Sequence, residues 1–385
     1  MKSKKAFIFI VVLIVSAFAF KGISRATRLR SMSDEFAESW NEAAFAVGST
    51  DISEDGEVNF YDDDTELVNG VALCGDGTRN NEQFSNMETK DYFIINENDG
   101  DGLLNQNVLF DGPSKNVFLI DKKDFKVTKN EMSNHIPAII SDERSNNVYE
   151  LLSESEGGKR NLSIIEYKIQ ESKLEKVSQF NYDINYTDNG ENACVYNDEV
   201  YLLTPETDNI DNNQFRLVKL EKRDGEYEEI LKISGYKSVN ALNIADDKVY
   251  ILAESSETNS KSAKTYFLKY DLTSGKLEKS EAIDDDCYSE IYVDEDMGRA
   301  FLLRNPGMTV FKDNHKLTYY DVEKDEITNK RIEKTPTNLK VKGDEIYLLN
   351  NDSISVLNRE DLSEKYTKEL KKTDKNSNLL FVKEV

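Results

Sequence analysis

The chain has 385 residues, 49 basic and 73 acidic, for a formal net charge of −24. Such a field repels nucleic acid, so no nucleic-acid partner is expected, while 19 Tyr and 18 Phe are too many aromatics for a disordered chain. Three cysteines and two histidines exclude a disulfide scaffold and a His/Cys-rich metal cluster.

Lys2, Lys4 and Lys5 precede a run from Ala6 to Phe20 that is apolar except for Ser16. A basic segment followed by an apolar one is the layout of an export signal or anchor. As a helix the run would reach roughly 22 Å, short of the hydrocarbon thickness of about 30 Å. Extension to Ile23 with Lys21 snorkelling brings it nearer. Ala17-Phe18-Ala19 also fits a cleavage site, so a cleaved signal and an uncleaved anchor both remain open, with the anchor preferred. Lys21, Arg25, Arg28 and Arg30 nearly balance the basic count before the run. The orientation with the N-terminus inside is favoured on the signal-like layout.

Residues 24–47 are expected to form a helical stalk after this anchor segment at 1–23. Met32, Phe36, Trp40 and Ala43 fall on one narrow helical stripe, and Ala46 to Thr50 looks like its break. Residues 48–56 are expected to be a linker and 57–385 the folded body. The first fifty residues carry 7 basic and 4 acidic side chains, so the rest carries −27. Anchor and body are electrostatically distinct, as in a tethered extracytoplasmic domain.

The body repeats. Val148-Tyr149-Glu150-Leu151, Val200-Tyr201-Leu202-Leu203, Val249-Tyr250-Ile251-Leu252, Ala300-Phe301-Leu302-Leu303 and Ile346-Tyr347-Leu348-Leu349 recur about every fifty residues. Each follows a short apolar strand and a tight acidic or Gly-Asp turn. Each precedes an alternating strand and then a polar one. Four strands per repeat predict an all-β fold, a β-propeller of six or seven four-stranded blades. A β-sandwich has similar strands without a fixed four-strand period. Leu379-Leu380-Phe381-Val382 reads as one more first strand, its blade completed from the N-terminal side. Six blades result if residues 107–110, 117–120 and 125–128 complete it. Seven result if Tyr92 to Ile95 begins its own blade and residues 57–88 supply the closing partner, and the length of the body favours seven.

Phe267-Leu268-Lys269-Tyr270-Asp271-Leu272-Thr273-Ser274-Gly275-Lys276-Leu277 resembles the third-strand motif of bacterial YVTN and PQQ-like propellers. Tyr319-Tyr320-Asp321-Val322 and Val117-Phe118-Leu119-Ile120-Asp121 are fainter copies. The resemblance covers the repeat body and implies an extracytoplasmic propeller without fixing an activity. Trp40 is the one Trp, so the repeated tryptophans that lock quinoprotein blades are missing. Gly-His and Trp-Asp pairs are missing too, so the likeness to WD40 repeats is general.

Connections between first and second strands are short, at Asn197-Asp198, Asp246-Asp247 and Gly343-Asp344. Those between second and third strands are long, at 153–161, 204–214, 254–264 and 304–315. They share a face with the links between blades, so one elaborated, acidic face is expected, where loops carry function. Its binding candidates are Glu154, Asp183, Asp208, Asp211, Asp284, Asp285, His135 and His315. Glu131, Asp183 and Asp313 could be carboxylate partners for the histidines, but two solvent-exposed loop histidines are the preferred reading. Glu97-x-Asp99-x-Asp101-Gly102 starts like a calcium loop, but position twelve is Val108, so an EF-hand fails. Asp99 and Asp101 remain a looser calcium candidate, with no other cofactor expected. Asp62 to Asp64 and Asp294 to Asp296 read as solvated turn residues. Cys194 reads as a small buried hydrophobe.

No catalytic residues are assigned, and an enzyme is less expected than a binding module. The preferred reading is a membrane-tethered, extracytoplasmic, non-enzymatic module for a protein or envelope polymer. The alternative is a propeller hydrolase or lyase with a metal or carboxylate site in the central funnel.

Overall fold

The recurring aromatic-aliphatic segment is the second strand of each blade in which it occurs. In a computed structural model it lies between the inner strand and the third strand. The structure describes residues 30–49, 57–72, 85–97, 116–132, 138–156, 159–184, 192–205, 214–255, 264–283, 288–304, 315–350, 352–373 and 377–383. They form seven four-stranded antiparallel sheets.

Blade 1 is closed by both ends of the described chain. Its inner strand is β28 (Asn378–Val382), followed outward by β1 (Phe45–Ser49), β2 (Glu57–Tyr61) and β3 (Leu67–Ala72). Blade 2 holds β4 (Ser85–Glu88), β5 (Tyr92–Glu97), β6 (Asn116–Asp121) and β7 (Val127–Glu131). Blade 3 holds β8 (Ala138–Ser141), β9 (Asn147–Glu156), β10 (Lys159–Gln170) and β11 (Lys173–Tyr182). Blade 4 holds β12 (Ala193–Tyr196), β13 (Glu199–Pro205), β14 (Gln214–Leu220) and β15 (Tyr227–Ser234). Blade 5 holds β16 (Tyr236–Ala245), β17 (Lys248–Ser255), β18 (Thr265–Asp271) and β19 (Lys276–Ile283). Blade 6 holds β20 (Tyr288–Asp294), β21 (Arg299–Arg304), β22 (Lys316–Asp321) and β23 (Glu326–Arg331). Blade 7 holds β24 (Asn338–Lys342), β25 (Glu345–Asn350), β26 (Ser353–Asn358) and β27 (Glu364–Glu369).

Seven blades are therefore present, and the six-blade alternative falls. The closing strands differ in detail from expectation. β1 lies at residues expected to end a helix and start a linker, so the ring begins at Phe45 rather than at residue 57. Tyr92 to Ile95 lies in β5, a second strand, and β4 supplies that blade's inner strand. Ring closure is set by register, with Phe45 opposite Val382 and Gly48 opposite Asn378.

Blades stack face to face, so second strands are buried on both sides, as in β17 and β25. Hydrophobic clusters fill all seven seams. The seam between blades 5 and 6 gathers Tyr250, Phe267, Tyr288 and Tyr320, and that between blades 7 and 1 gathers Phe45, Tyr61 and Tyr347. Each fully buried large side chain contributes about 1.5–3 kcal/mol. Outer strands such as β11 face water on one side and alternate accordingly.

Turns repeat as well. Asn197 and Asp198 both take positive φ (53° and 63°), as do Asp246 and Asp247 (48° and 56°). Two successive left-handed residues make the tight hairpin that strand twist prefers, and Asn and Asp tolerate it. The third-to-fourth turn is built on an Asp or Asn. Asp271 Oδ1 accepts from Thr273 N at 3.0 Å and Ser274 N at 2.7 Å, while Gly275 N donates to Asp271 O at 2.9 Å. Asn358 and Leu362 repeat this in blade 7, and Asp121 and Phe125 in blade 2. The motif shared with YVTN-type propellers is thus a device for closing a hairpin on a left-handed residue.

Before β1, residues 30–42 form a helix, α1. The expected stripe of Met32, Phe36, Trp40 and Ala43 is buried, not on a free stalk but against the ring. Phe36 stands edge-on to Phe60 at 5.0 Å, and Trp40 meets Phe60, Phe125 and Phe381 at 6.3, 5.2 and 6.1 Å. Ser33 Oγ accepts from Val127 N at 3.1 Å, and Asn69 Nδ2 donates to Ser39 Oγ at 2.9 Å. Lys383 Nζ donates to the carbonyls of Trp40 and Asn41, where the helix dipole attracts a cation. The helix therefore seals the seam between blades 1 and 2. No helix among the described residues is long and apolar enough to cross a membrane, and residues 6–20 lie outside them.

Candidate functional site

In a four-stranded blade the first-to-second and third-to-fourth turns share one face, here the short-turn face. There, side chains from blades that are not neighbours meet across the central channel. Lys340, at the middle of inner strand β24 in blade 7, pairs with Glu88 at the end of β4 in blade 2. Blade 1 stands between those blades, so the pair lies inside the ring of inner strands. Lys122, from the turn after β6, donates to Glu88 Oε2 at 3.1 Å and to the Thr89 carbonyl at 2.7 Å. Arg144, in the turn after β8, reaches Glu295 in the turn after β20 at 2.7 and 3.0 Å. Blades 3 and 6 are separated by two blades on one side and three on the other, so this contact also spans the mouth.

The electrostatics follow from that convergence. Burial by itself disfavours the Glu88 carboxylate, but Lys340 and Lys122 outweigh it and hold its pKa down to about 2. Glu143 sits beside Arg144 at the same mouth. Its side chain touches water yet is hemmed in by protein, and burial followed by repulsion from Glu88 raises its pKa, with the lysines offsetting part of the effect. Tyr292, on inner strand β20, is likewise pushed up by burial and then by Glu143 and Asp294. The site thus holds one carboxylate locked as an anion and another inclined to take a proton.

A second tier braces the mouth. Arg359, after β26 in blade 7, grips Asp294 of blade 6 through Nε at 2.9 Å and an amino group at 2.6 Å, and reaches Asp296 at 2.7 Å. Asp294 is 3% exposed. Asp294 is therefore not a solvated turn residue, whereas Glu295, Asp296, Asp63 and Asp64 are exposed as expected. Two clefts open on the outer wall. One of about 400 Å³ lies between blades 5 and 6 around Lys269, Glu278, Tyr320 and Asp325, and one of about 330 Å³ between blades 3 and 4 around Tyr149, Glu166, Asp198 and Lys222. In both a lysine bridges two carboxylates across the seam. Lys269 lies 2.7 Å from Glu278 and 2.6 Å from Asp325, and Lys222 lies 2.8 Å from Glu166 and 3.1 Å from Asp198.

Of the eight binding candidates expected on the opposite, long-loop face, three are described. Glu154 lies in β9 opposite Asn161, so the stretch expected to be a loop at 153–161 is in large part a paired hairpin. Asp183 is exposed just past β11. His315 is exposed at the start of β22, with φ 53°, and its Nδ1 lies 2.5 Å from the Glu333 carbonyl. They belong to blades 3 and 6 and form no common cluster. His135, Asp208, Asp211, Asp284, Asp285, Asp99 and Asp101 lie outside the described residues. Among the described residues no group of three His, Cys, Asp or Glu side chains has metal-binding geometry. Cys194 lies on inner strand β12, partly buried in the seam of blades 4 and 5, and burial pushes its thiol up.

The residues at the channel mouth were missed in the sequence. Glu88 ends a polar strand of four residues, and Lys340 interrupts an apolar one. Their only sequence signal is a charge within or at the end of an inner strand.

No family model matches the chain, and no curated protein matches it in sequence. Solved structures do match. That of apo AztD from Citrobacter koseri is 12% identical with TM-score 0.53, over 89% of this chain and 99% of that one. That of hydrazine synthase from Kuenenia stuttgartiensis is 13% identical with TM-score 0.52, over 78% and 89%. That of a Lactobacillus plantarum protein is 12% identical with TM-score 0.50, over 88% and 99%. At such identities the likeness is one of fold, and it carries no activity across.

Proposed function

We propose that this chain is a membrane-tethered binding module, a rigid ring that presents its long-loop face to a protein or cell-envelope polymer outside the cytoplasm. The observation that carries the reading is the way charge is used on the opposite face. Glu88, Asp294 and Glu295 are each bound by a cation from another blade, so these groups hold blades together instead of awaiting a ligand. The ring they lock is a scaffold suited to holding loops in fixed relation. Residues 6–20 supply the tether, and the charge of −27 beyond residue 50 favours a partner with basic groups.

A photo-cross-linker at Asp183 in the full-length protein, with a second at Ser274 on the short-turn face, tests this in native membranes. One stoichiometric adduct from position 183 and none from 274 is expected. Equal labelling from both positions, or none from either, would reject the module reading.

A second reading, a hydrolase or lyase acting at the channel, rests on Glu143, whose raised pKa and contact with water suit a general acid. It requires a turnover activity that Glu143→Gln abolishes without loss of folding. Calcium at Asp99 and Asp101 remains a proposal that calorimetric titration of the metal-stripped chain decides.

A further inference from the structure

The geometry points to a fixed stance for the ring. We infer that α1 holds the short-turn face toward the membrane and the long-loop face away from it. This rests on the reading of residues 6–20 as the membrane segment.

The argument begins with where α1 docks. Every ring partner of Trp40 lies at the short-turn end of a strand or in a short turn. Phe60 lies near the end of β2, Phe125 in the turn between β6 and β7, and Phe381 near the end of β28. Ala44 N bonds the Tyr61 carbonyl at 2.7 Å and Lys383 N the Ala44 carbonyl at 2.8 Å, so the link from helix to β1 is pinned on that same face. At the other end of the helix, Ser33 is bonded to Val127, the first residue of β7. The chain thus reaches the ring on its short-turn side, at the seam of blades 1 and 2.

The remaining reach is small. Seven peptide steps from Ile23 to Arg30 span at most about 25 Å when fully extended. A ring lying long-loop face down would need that stretch drawn out past strands of up to twelve residues and the connections beyond them. With the short-turn face down, the stretch has slack. The basic charge of the sequence between the apolar run and α1 favours that stance, because anionic headgroups attract it. Buried aromatic packing fixes α1 to the ring, so the short-turn face stays beside the start of α1 on the timescale of undocking the helix.

Full-length protein in phosphatidylglycerol-containing vesicles tests the stance. With the native cysteines replaced by alanine, Ser274→Cys and Asp183→Cys each carry a donor dye, and the lipid headgroups carry an acceptor. The expected result is a greater loss of donor emission from position 274 than from 183, with the difference narrowed by Trp40→Ala. Greater loss from 183 overturns the stance while leaving the tether intact. Flotation in high salt is the separate readout of the tether. Protein that fails to float overturns the tether and the stance with it.

Discussion

The ring of Phe125 lies 5.2 Å from that of Trp40, and to put it there the Phe125 backbone takes φ 55°. A left-handed backbone is costly for a bulky residue, by about 1–2 kcal/mol. The same turn position holds Gly275 in blade 5, where φ is 70° at no such cost. The cost in blade 2 is offset by aromatic packing that seats α1.

Trp40→Ala is therefore expected to destabilise residues 30–385 by about 3–5 kcal/mol. Part of that loss is the coupling to Phe125, expected at about 0.5–1.5 kcal/mol. A double-mutant cycle with Phe125→Ala, read from urea midpoints, gives the coupling. Additive losses would mean that the two rings do not support one another.

Glu88 sets an acid limit. Its carboxyl, ordinarily near 4.5, is held down to about 2 against the opposing effect of burial. Its contribution is fully present above pH 4.5 and is lost as the pH falls through about 2. Glu88→Gln is expected to cost on the order of 3 kcal/mol at neutral pH by leaving buried Lys340 unpaired, and to flatten the acid side of the stability curve. Glu143 has the opposite sign, since its raised pKa makes ionisation unfavourable to the fold as pH rises. Glu143→Gln should then preserve or raise stability at neutral pH. Urea unfolding across the acid range separates the two.

The Glu88 and Lys340 pair also has a partner-removal test. Replacing both with Gln and Met removes the stranded charge, so much of the stability lost in Glu88→Gln is expected to return. A double variant as unstable as the single one would place the loss in the Lys122 bonds instead.

Cys194 is expected to resist alkylation in the folded ring, because burial raises its thiol pKa and packing limits access. Mass spectrometry after a pulse of iodoacetamide should find Cys194 modified only under denaturing conditions. Rapid labelling in native buffer would contradict the packing.

Five blades were legible because their second strands keep a Tyr or Phe amid aliphatics at constant spacing, and burial on both sides demands that pattern. Blade 1 was not. Ala46-Val47-Gly48-Ser49 reads as a break after a helix, yet β1 is buried throughout, with Ala46 in the cluster that packs α1 and Phe45 and Val47 facing blade 7. Ser85 to Glu88 has no apolar pattern, since an inner strand of four residues is held mainly by its neighbours. The amphipathic stripe of α1 was plain, but its docking partners were not, since Phe125 and Phe381 lie far along the chain. The channel mouth was the least legible, because partners such as Arg144 and Glu295 are 151 positions apart.

Blade 1 joins strands made early to one made late, with Phe45 opposite Val382. Until residues 378–382 have been synthesised, β1 has an open edge and Phe381 is missing from the pocket that receives Trp40. A nascent chain therefore waits with six blades and an unsealed seam, the state most exposed to aggregation and proteolysis. Completion of the ring is a single late event of very high contact order. A product cut short by even a few residues before Asn378 is thereby marked for degradation by its own unclosed edge.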